Sequence, residues 1–345
     1  MSSPRARTVL RRLAVVPLAV TLLSFVGLAP AAAHPGPTSG AASYVALGDS
    51  YASGEGLPPY VAGTESDNGC HRSQGQSYPV LLAESGRRPF SSLTSVACSG
   101  AVTADLLATT PNTSQPPQVS ALGAGTRTVT VTIGGNDAGF GAVITDCVYS
   151  PDPTLQQALK GSPDCRDRDD VAVRTRIAAL GGGRGAPTVP GVVPLPDLLE
   201  RIQAAAPRAT IYLTGYPRLL GRELTDAAGC RVSDVAPLYI SGADARWIRT
   251  KAGELNATIA GSARRARARG LDVRYVDVAR VFRDHNVCDR KSPWVNGVVL
   301  TPTDPSQPPQ LSPATFHPTA RGQRAYAAAV LDAVPSWRAH PLPRA

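Results

Sequence analysis

Past residue 33 the chain has no stretch long and apolar enough to cross a bilayer. It has no Cys-x-x-Cys pair and no histidines at ligand spacing, so neither a metal site nor a cofactor is expected. Nor is there a dense basic run interleaved with aromatics, which argues against nucleic acid as a partner. No internal repeat is visible, so a solenoid or propeller is not expected. What is left is one large domain, or less simply two small ones, with room for an ample core.

The segment before residue 34 is of another kind. Arg5, Arg7, Arg11 and Arg12 make a positive region without an acid, an apolar run follows from Leu13 to Leu28, and Ala31-Ala32-Ala33 offers a small-x-small cleavage site. That is the pattern of a secretory signal peptide over residues 1–33, and a secreted, extracellular protein is expected. Arg11-Arg12 leaves twin-arginine export open beside the general route. Removing the segment leaves 312 residues and takes away four arginines, so the net charge falls from +9 to +5. A mildly basic surface of that kind allows transient contact with anionic lipid and no more.

Six cysteines, Cys70, Cys98, Cys147, Cys165, Cys230 and Cys288, stand behind this signal. An even count in an exported chain implies disulfides, although six cysteines permit about 15 pairings and spacing does not choose among them. Sequential pairing is the simplest, each closed loop contributing about 2–4 kcal/mol.

Short apolar, β-branched runs alternate with helix-like stretches along the chain. The runs predict strands over Tyr44–Leu47, Leu93–Val96, Thr128–Ile133, Ala209–Thr214 and Val273–Val276. Helices are predicted over Tyr78–Glu84, Ala104–Ala108, Leu198–Ala205, Ala243–Ala268 and Ala320–Ala333. Continuous strands bounded by Gly, Pro or Thr suit a parallel sheet covered on both faces, hence an α/β domain. Residues 148–196, rich in Pro, Gly and Asp, and 283–316, with its six prolines, read as long loops.

Such sheets place their chemistry at the carboxyl ends of strands, and four segments there carry candidate groups. In Gly48-Asp49-Ser50-Tyr51-Ala52-Ser53-Gly54-Glu55-Gly56 a strand runs into a tight turn and exposes a serine at a helix start, where free N–H groups can hold an oxyanion. Gly-Asp-Ser is also ordinary turn chemistry, with Ser a good N-cap. Gly100, in Ala97-Cys98-Ser99-Gly100, could present an unobstructed backbone N–H. Gly134-Gly135-Asn136-Asp137 delivers an asparagine amide, a good oxyanion donor, beyond a strand end. Phe316-His317-Pro318 places a histidine at the entrance of the last helix, with Pro318 at its first position. Of the other four histidines, His34 and His340 lie near the ends, while His71 and His285 sit by cysteines in loops.

In this order the four segments resemble the GDSL lipases of the SGNH hydrolase superfamily, over residues 43–333. The long form around Ser50, with six cysteines, is similar to the secreted actinobacterial esterases and lipases. The resemblance implies a flavodoxin-like three-layer α/β/α fold with about five parallel strands, and disulfides Cys70–Cys98, Cys147–Cys165 and Cys230–Cys288. It implies a monomeric lipase or esterase on lipid acyl esters such as glycerides or phospholipids. Ser50 would be nucleophile and His317 general base, with the Ser50 and Gly100 N–H groups and the Asn136 amide as oxyanion hole. Polysaccharide deacetylases and thioesterases of the same superfamily are the alternatives within the class, and a dead scaffold used for binding is the alternative outside it. No Gly-x-Ser-x-Gly elbow surrounds Ser50, which argues against an α/β-hydrolase.

The chain departs from the family at one position. An aspartate usually precedes the histidine by three residues, but Ala314 stands there and Leu311–His317 holds no carboxylate, the nearest upstream acid being Asp304. A main-chain carbonyl can fix the tautomer instead, and that of Ala314 is the expected acceptor.

Overall fold

All five β-rich runs form strands: β1 Tyr44–Gly48, β2 Leu93–Ser95, β3 Thr128–Thr132, β4 Thr210–Thr214 and β5 Val273–Val276. They pair in parallel in the order β2-β1-β3-β4-β5, with Tyr44 opposite both Leu93 and Thr128. The computed structural model describes residues 43–335 apart from 67–68, 88, 160, 223–228, 290 and 302–309. Residues 1–33, expected to be a signal peptide, and Asp304 lie outside the described residues.

Every residue of β1 and β3 is buried, as the unbroken apolar and threonine runs require when helices cover both faces. Between them the helices are α1 Ser50–Ser53, α2 Tyr78–Glu84, α3 Thr103–Leu107, α4 Phe140–Cys147, α5 Pro153–Ala158, α6 Cys165–Gly181, α7 Leu195–Ala205, α8 Gly242–Ala268, α9 Val278–Val281 and α10 Ala320–Asp332. Helix α10 packs with α2 and α9, while α8 packs with α6, α7 and β5. Strand order reverses direction at β1 and β3, so the crevice beyond their carboxyl ends is the switch point of the sheet.

Residues 148–196 are not the loop that their composition suggests. They hold α5, the seventeen residues of α6 and the start of α7. Arg166–Asp170 gives α6 a charged, exposed first half, which hides the apolar stripe of its second half: Val173, Ile177 and Leu180 are buried. The 283–316 region stays irregular among the described residues, apart from a two-residue pairing of Leu300–Thr301 with Gln310–Leu311.

The cysteines pair in sequence order, as Cys70–Cys98, Cys147–Cys165 and Cys230–Cys288, and none is free. The first ties the loop before α2 to the loop after β2, and the second ties the end of α4 to the start of α6.

Candidate active site

Strand β1 ends in a sharp turn. Gly48 has φ +134°, and a Cβ there would lie 2.2 Å from the Thr132 carbonyl oxygen, so only glycine fits. The Gln118 side chain takes the place of a sheet neighbour, accepting from Gly48 N at 2.7 Å and donating to Gly48 O at 2.9 Å. The next residue, Asp49, caps α1 by accepting from Tyr51 N at 3.0 Å. Its other oxygen accepts from the Tyr216 hydroxyl, which itself accepts from Gly135 N at 3.0 Å. One phenol therefore joins the exits of β1 and β3. Burial pushes the Asp49 carboxyl up to about 7, against the pull of Tyr216 and Tyr51. Ser50 opens α1 and is 6% exposed.

His317 meets Ser50 across the crevice, with Nε2 2.7 Å from Oγ. Its Nδ1 lies 3.0 Å from the Thr315 carbonyl oxygen. Since a carbonyl only accepts, Nδ1 carries the proton and Nε2 is left to accept from the serine. Ala314 is therefore not the acceptor: its carbonyl takes the His317 N–H and the Asn296 amide, each at 3.1 Å. Phe316, between them, has φ +56°, and this left-handed turn swings the Thr315 carbonyl round to the ring. The turn is held by Phe316 N on Gly297 O at 3.2 Å and by the Tyr51 hydroxyl on Phe316 O at 2.7 Å. Pro318 is not the first residue of α10, which begins at Ala320 behind a Thr319 cap. Pro318 instead bridges to Val295. Burial holds the His317 imidazole below its ordinary range, with Glu55 and the Thr315 carbonyl opposing.

Neither Ser50 N nor Gly100 N has an acceptor among the described residues. Asn136 donates one amide proton to Ala101 O at 3.0 Å, which fixes the side chain and leaves its second proton. Beside it, buried Asp137 accepts from Thr103 N at 3.0 Å and from Thr103 Oγ1 at 2.5 Å, locking the start of α3 to the exit of β3. Burial lifts its carboxyl to about 6.

The structure also brings in two residues that the sequence left aside. Glu55 follows α1 and turns back, so that Oε2 lies 3.6 Å from His317 Nε2. Its Oε1 lies 3.0 Å from Nδ1 of His71, whose Nε2 lies 2.9 Å from Ser66 O. Burial raises the Glu55 carboxyl, but His71, His317 and Ser99 outweigh it and hold it below its ordinary value. A carboxylate is thus present beside His317, although none precedes it in its own segment. The signal available was the glutamate inside Gly54-Glu55-Gly56. Gly56 has φ +83°, and a Cβ there would sit 2.7 Å from Ala314 Cα, so the turn that returns Glu55 also lets the histidine loop pack against it.

These groups line a cavity of about 850 Å³. Phe140, Ile144, Leu219 and Leu255 form an apolar side, and Ser99, Asn112, Thr113 and Ser114 a polar one. Among the described residues the only side chains clustered at metal-ligand distances are Cys147, Cys165 and Asp169, and that cysteine pair is a disulfide.

The chain is similar to known lipases over most of its length. The profile of the GDSL-like Lipase/Acylhydrolase family matches residues 46–325. A lipase of Streptomyces rimosus is 33% identical over 292 residues, 85% of this chain and 86% of its own length. The crystal structure of the extracellular lipase from Streptomyces rimosus superposes with a TM-score of 0.59 at 31% identity, covering 84% of this chain and 99% of that one. That of phospholipase A1 from Streptomyces albidoflavus NA297 gives 0.61 at 30% identity, covering 85% and 100%.

Proposed function

The chain belongs to the GDSL-like lipase/acylhydrolase family and is a carboxylic ester hydrolase of the lipase or phospholipase type, and on that premise we propose that it is exported and cleaves lipid acyl esters through an acyl-enzyme on Ser50. The observation that carries the mechanism is the 2.7 Å contact between Ser50 Oγ and His317 Nε2, with Nδ1 fixed by Thr315 O. Oγ attacks the ester carbonyl carbon while its proton passes to Nε2. The carbonyl oxygen, now negative, is met by Ser50 N–H, Gly100 N–H and the free Asn136 amide proton. Collapse breaks the ester C–O bond, and Nε2 returns its proton to the leaving alkoxide. Water then attacks the acyl-enzyme with His317 again as base, releasing the acid and restoring Ser50.

The apolar flank of Phe140, Ile144, Leu219 and Leu255 supports an acyl chain in place of a bare acetyl group. Leu311 lines the same cavity and is 42% exposed, which suits brief contact with a lipid surface. Export rests on the pattern of residues 1–33 and on similarity to the extracellular lipase from Streptomyces rimosus.

The test is a matched set of short and long acyl esters, a phospholipid and an acetylated polysaccharide, run on wild type and Ser50→Ala. Long-chain or phospholipid turnover that Ser50→Ala abolishes is the expected result. Preference for the acetylated polysaccharide would move the enzyme to the deacetylase reading, and absence of fluorophosphonate labelling at Ser50 would remove the serine mechanism.

A further inference from the structure

Building on the Ser50–His317 reading, we propose that Glu55 is the electrostatic partner of His317, supplying from the Nε2 side the negative charge that an aspartate at position 314 would have supplied from the Nδ1 side, and that a buried, doubly protonated His71 holds it there. Three observations converge on this assignment. The dyad has a neutral carbonyl, Thr315 O, where a carboxylate would compensate the imidazolium. Glu55 Oε2 is 3.6 Å from the nitrogen that receives the proton, with its side chain 12% exposed. And the carboxylate does not reach that position by its own flexibility, because His71 grips Oε1 at 3.0 Å.

His71 itself is diagnostic. Its two ring nitrogens face Glu55 Oε1 and Ser66 O, and both partners accept when Glu55 is ionised. A neutral imidazole has one N–H and can satisfy only one of them, so the imidazolium is the species that fits. The side chain is 5% exposed, its ring stacks on Tyr60 at 5.0 Å, and its neighbour Cys70 is tied to Cys98. An ion pair buried so deeply costs desolvation, and stability alone is a weak reason to keep one. A charge needed beside the reacting nitrogen is a better reason.

The charges around His317 determine the sign. Glu55 and His71 face it from the loop after α1 and the loop before α2, Tyr51 offers only its ring at 5.3 Å, and Asp49 lies behind Ser50 on Tyr216. The carboxylate is the nearer of the opposed pair and favours the protonated ring, while His71 disfavours it from farther away. As Ser50 loses its proton, Nε2 becomes N–H⁺ next to Oε2, and the attraction grows in the transition state. Glu55 takes no proton itself. It acts through His317 and is a positioning residue, not a catalytic one.

Glu55→Gln keeps the shape and removes the charge. It should lower kcat by about 10- to 100-fold with KM little changed, and should move the acidic limb of kcat/KM to lower pH by about half a unit or more. Glu55→Asp should recover part of both effects. A folded Glu55→Gln enzyme with kcat and limb unchanged, or with kcat lowered and the limb unmoved, would overturn the proposal. Wild-type protein with ¹⁵N-labelled histidine gives an independent readout: His71 should show two protonated ring nitrogens at pH 7, and a single one would overturn the ion pair. Fluorophosphonate labelling of Ser50 in each variant separates the two levels. Loss of labelling in wild type would defeat the underlying serine mechanism, whereas normal labelling with an unmoved limb would defeat the Glu55 proposal alone.

Discussion

At the scale of single residues, Asn136 divides transition-state binding from ground-state binding. Its amide is anchored on Ala101 O and aims its spare proton at the crevice, so Asn136→Ala should lower kcat by about 10²–10³ with KM little changed. A rise in KM alone would make it a substrate anchor. His317, held low by burial, stays neutral and able to accept a proton into mildly acidic solution. The acidic limb of kcat/KM should therefore fall below about 6.5, with activity persisting well into alkaline pH. Asp49 makes an opposite kind of prediction, for stability. Its carboxyl rises from 3.8 to about 7 on folding, so the folded state holds the proton more tightly, and its contribution is lost as pH rises through that range. Asp49→Asn removes this dependence. Relative to wild type, the variant's Tm should improve between pH 5 and pH 8, and a Tm difference constant with pH would show that Asp49 is not perturbed.

At the scale of elements, two loops decide whether the site assembles. Cys70–Cys98 joins the loop carrying His71 to the loop carrying Ser99 and Gly100, so its reduction should loosen a flank of the crevice as well as the fold. Replacing both cysteines by serine should lower Tm clearly, and should lower kcat more than the same replacement of Cys230–Cys288, which lines no part of the cavity. Equal kcat losses from the two replacements would remove the special place of the first. The five strands were legible in the sequence because each is a short, unbroken apolar run between turn residues, and β1 and β3 are indeed buried throughout. Helix α6 was not, because Arg166–Asp170 masks an apolar stripe that only its packing on α8 reveals. The offset from Ala314 to Thr315 arises from the positive φ at Phe316, a backbone choice that no residue type in the segment announces. The pairing of Glu55 with His71 is hidden in the sequence for a related reason. Their meeting depends on a turn at Gly56 and a disulfide at Cys70, not on any spacing between them.

At the scale of the whole molecule, the order β2-β1-β3-β4-β5 opens its crevice where β1 and β3 diverge, and the chain places Ser50 and Asn136 at those two exits. Gly100 follows β2, and His317 is brought over by the segment before α10, which Gln323 pins to Tyr51 O at 3.1 Å and to Tyr78 N at 2.8 Å. A mutational cycle on the two reacting residues tests the proposed reaction most directly. Ser50→Ala, His317→Ala and the double variant should each reduce kcat on a long-chain ester by about 10⁴ or more, the double losing little beyond either single, as members of one unit do. Folded single variants that keep wild-type turnover, or losses that multiply in the double variant, would contradict hydrolysis by a Ser50–His317 dyad.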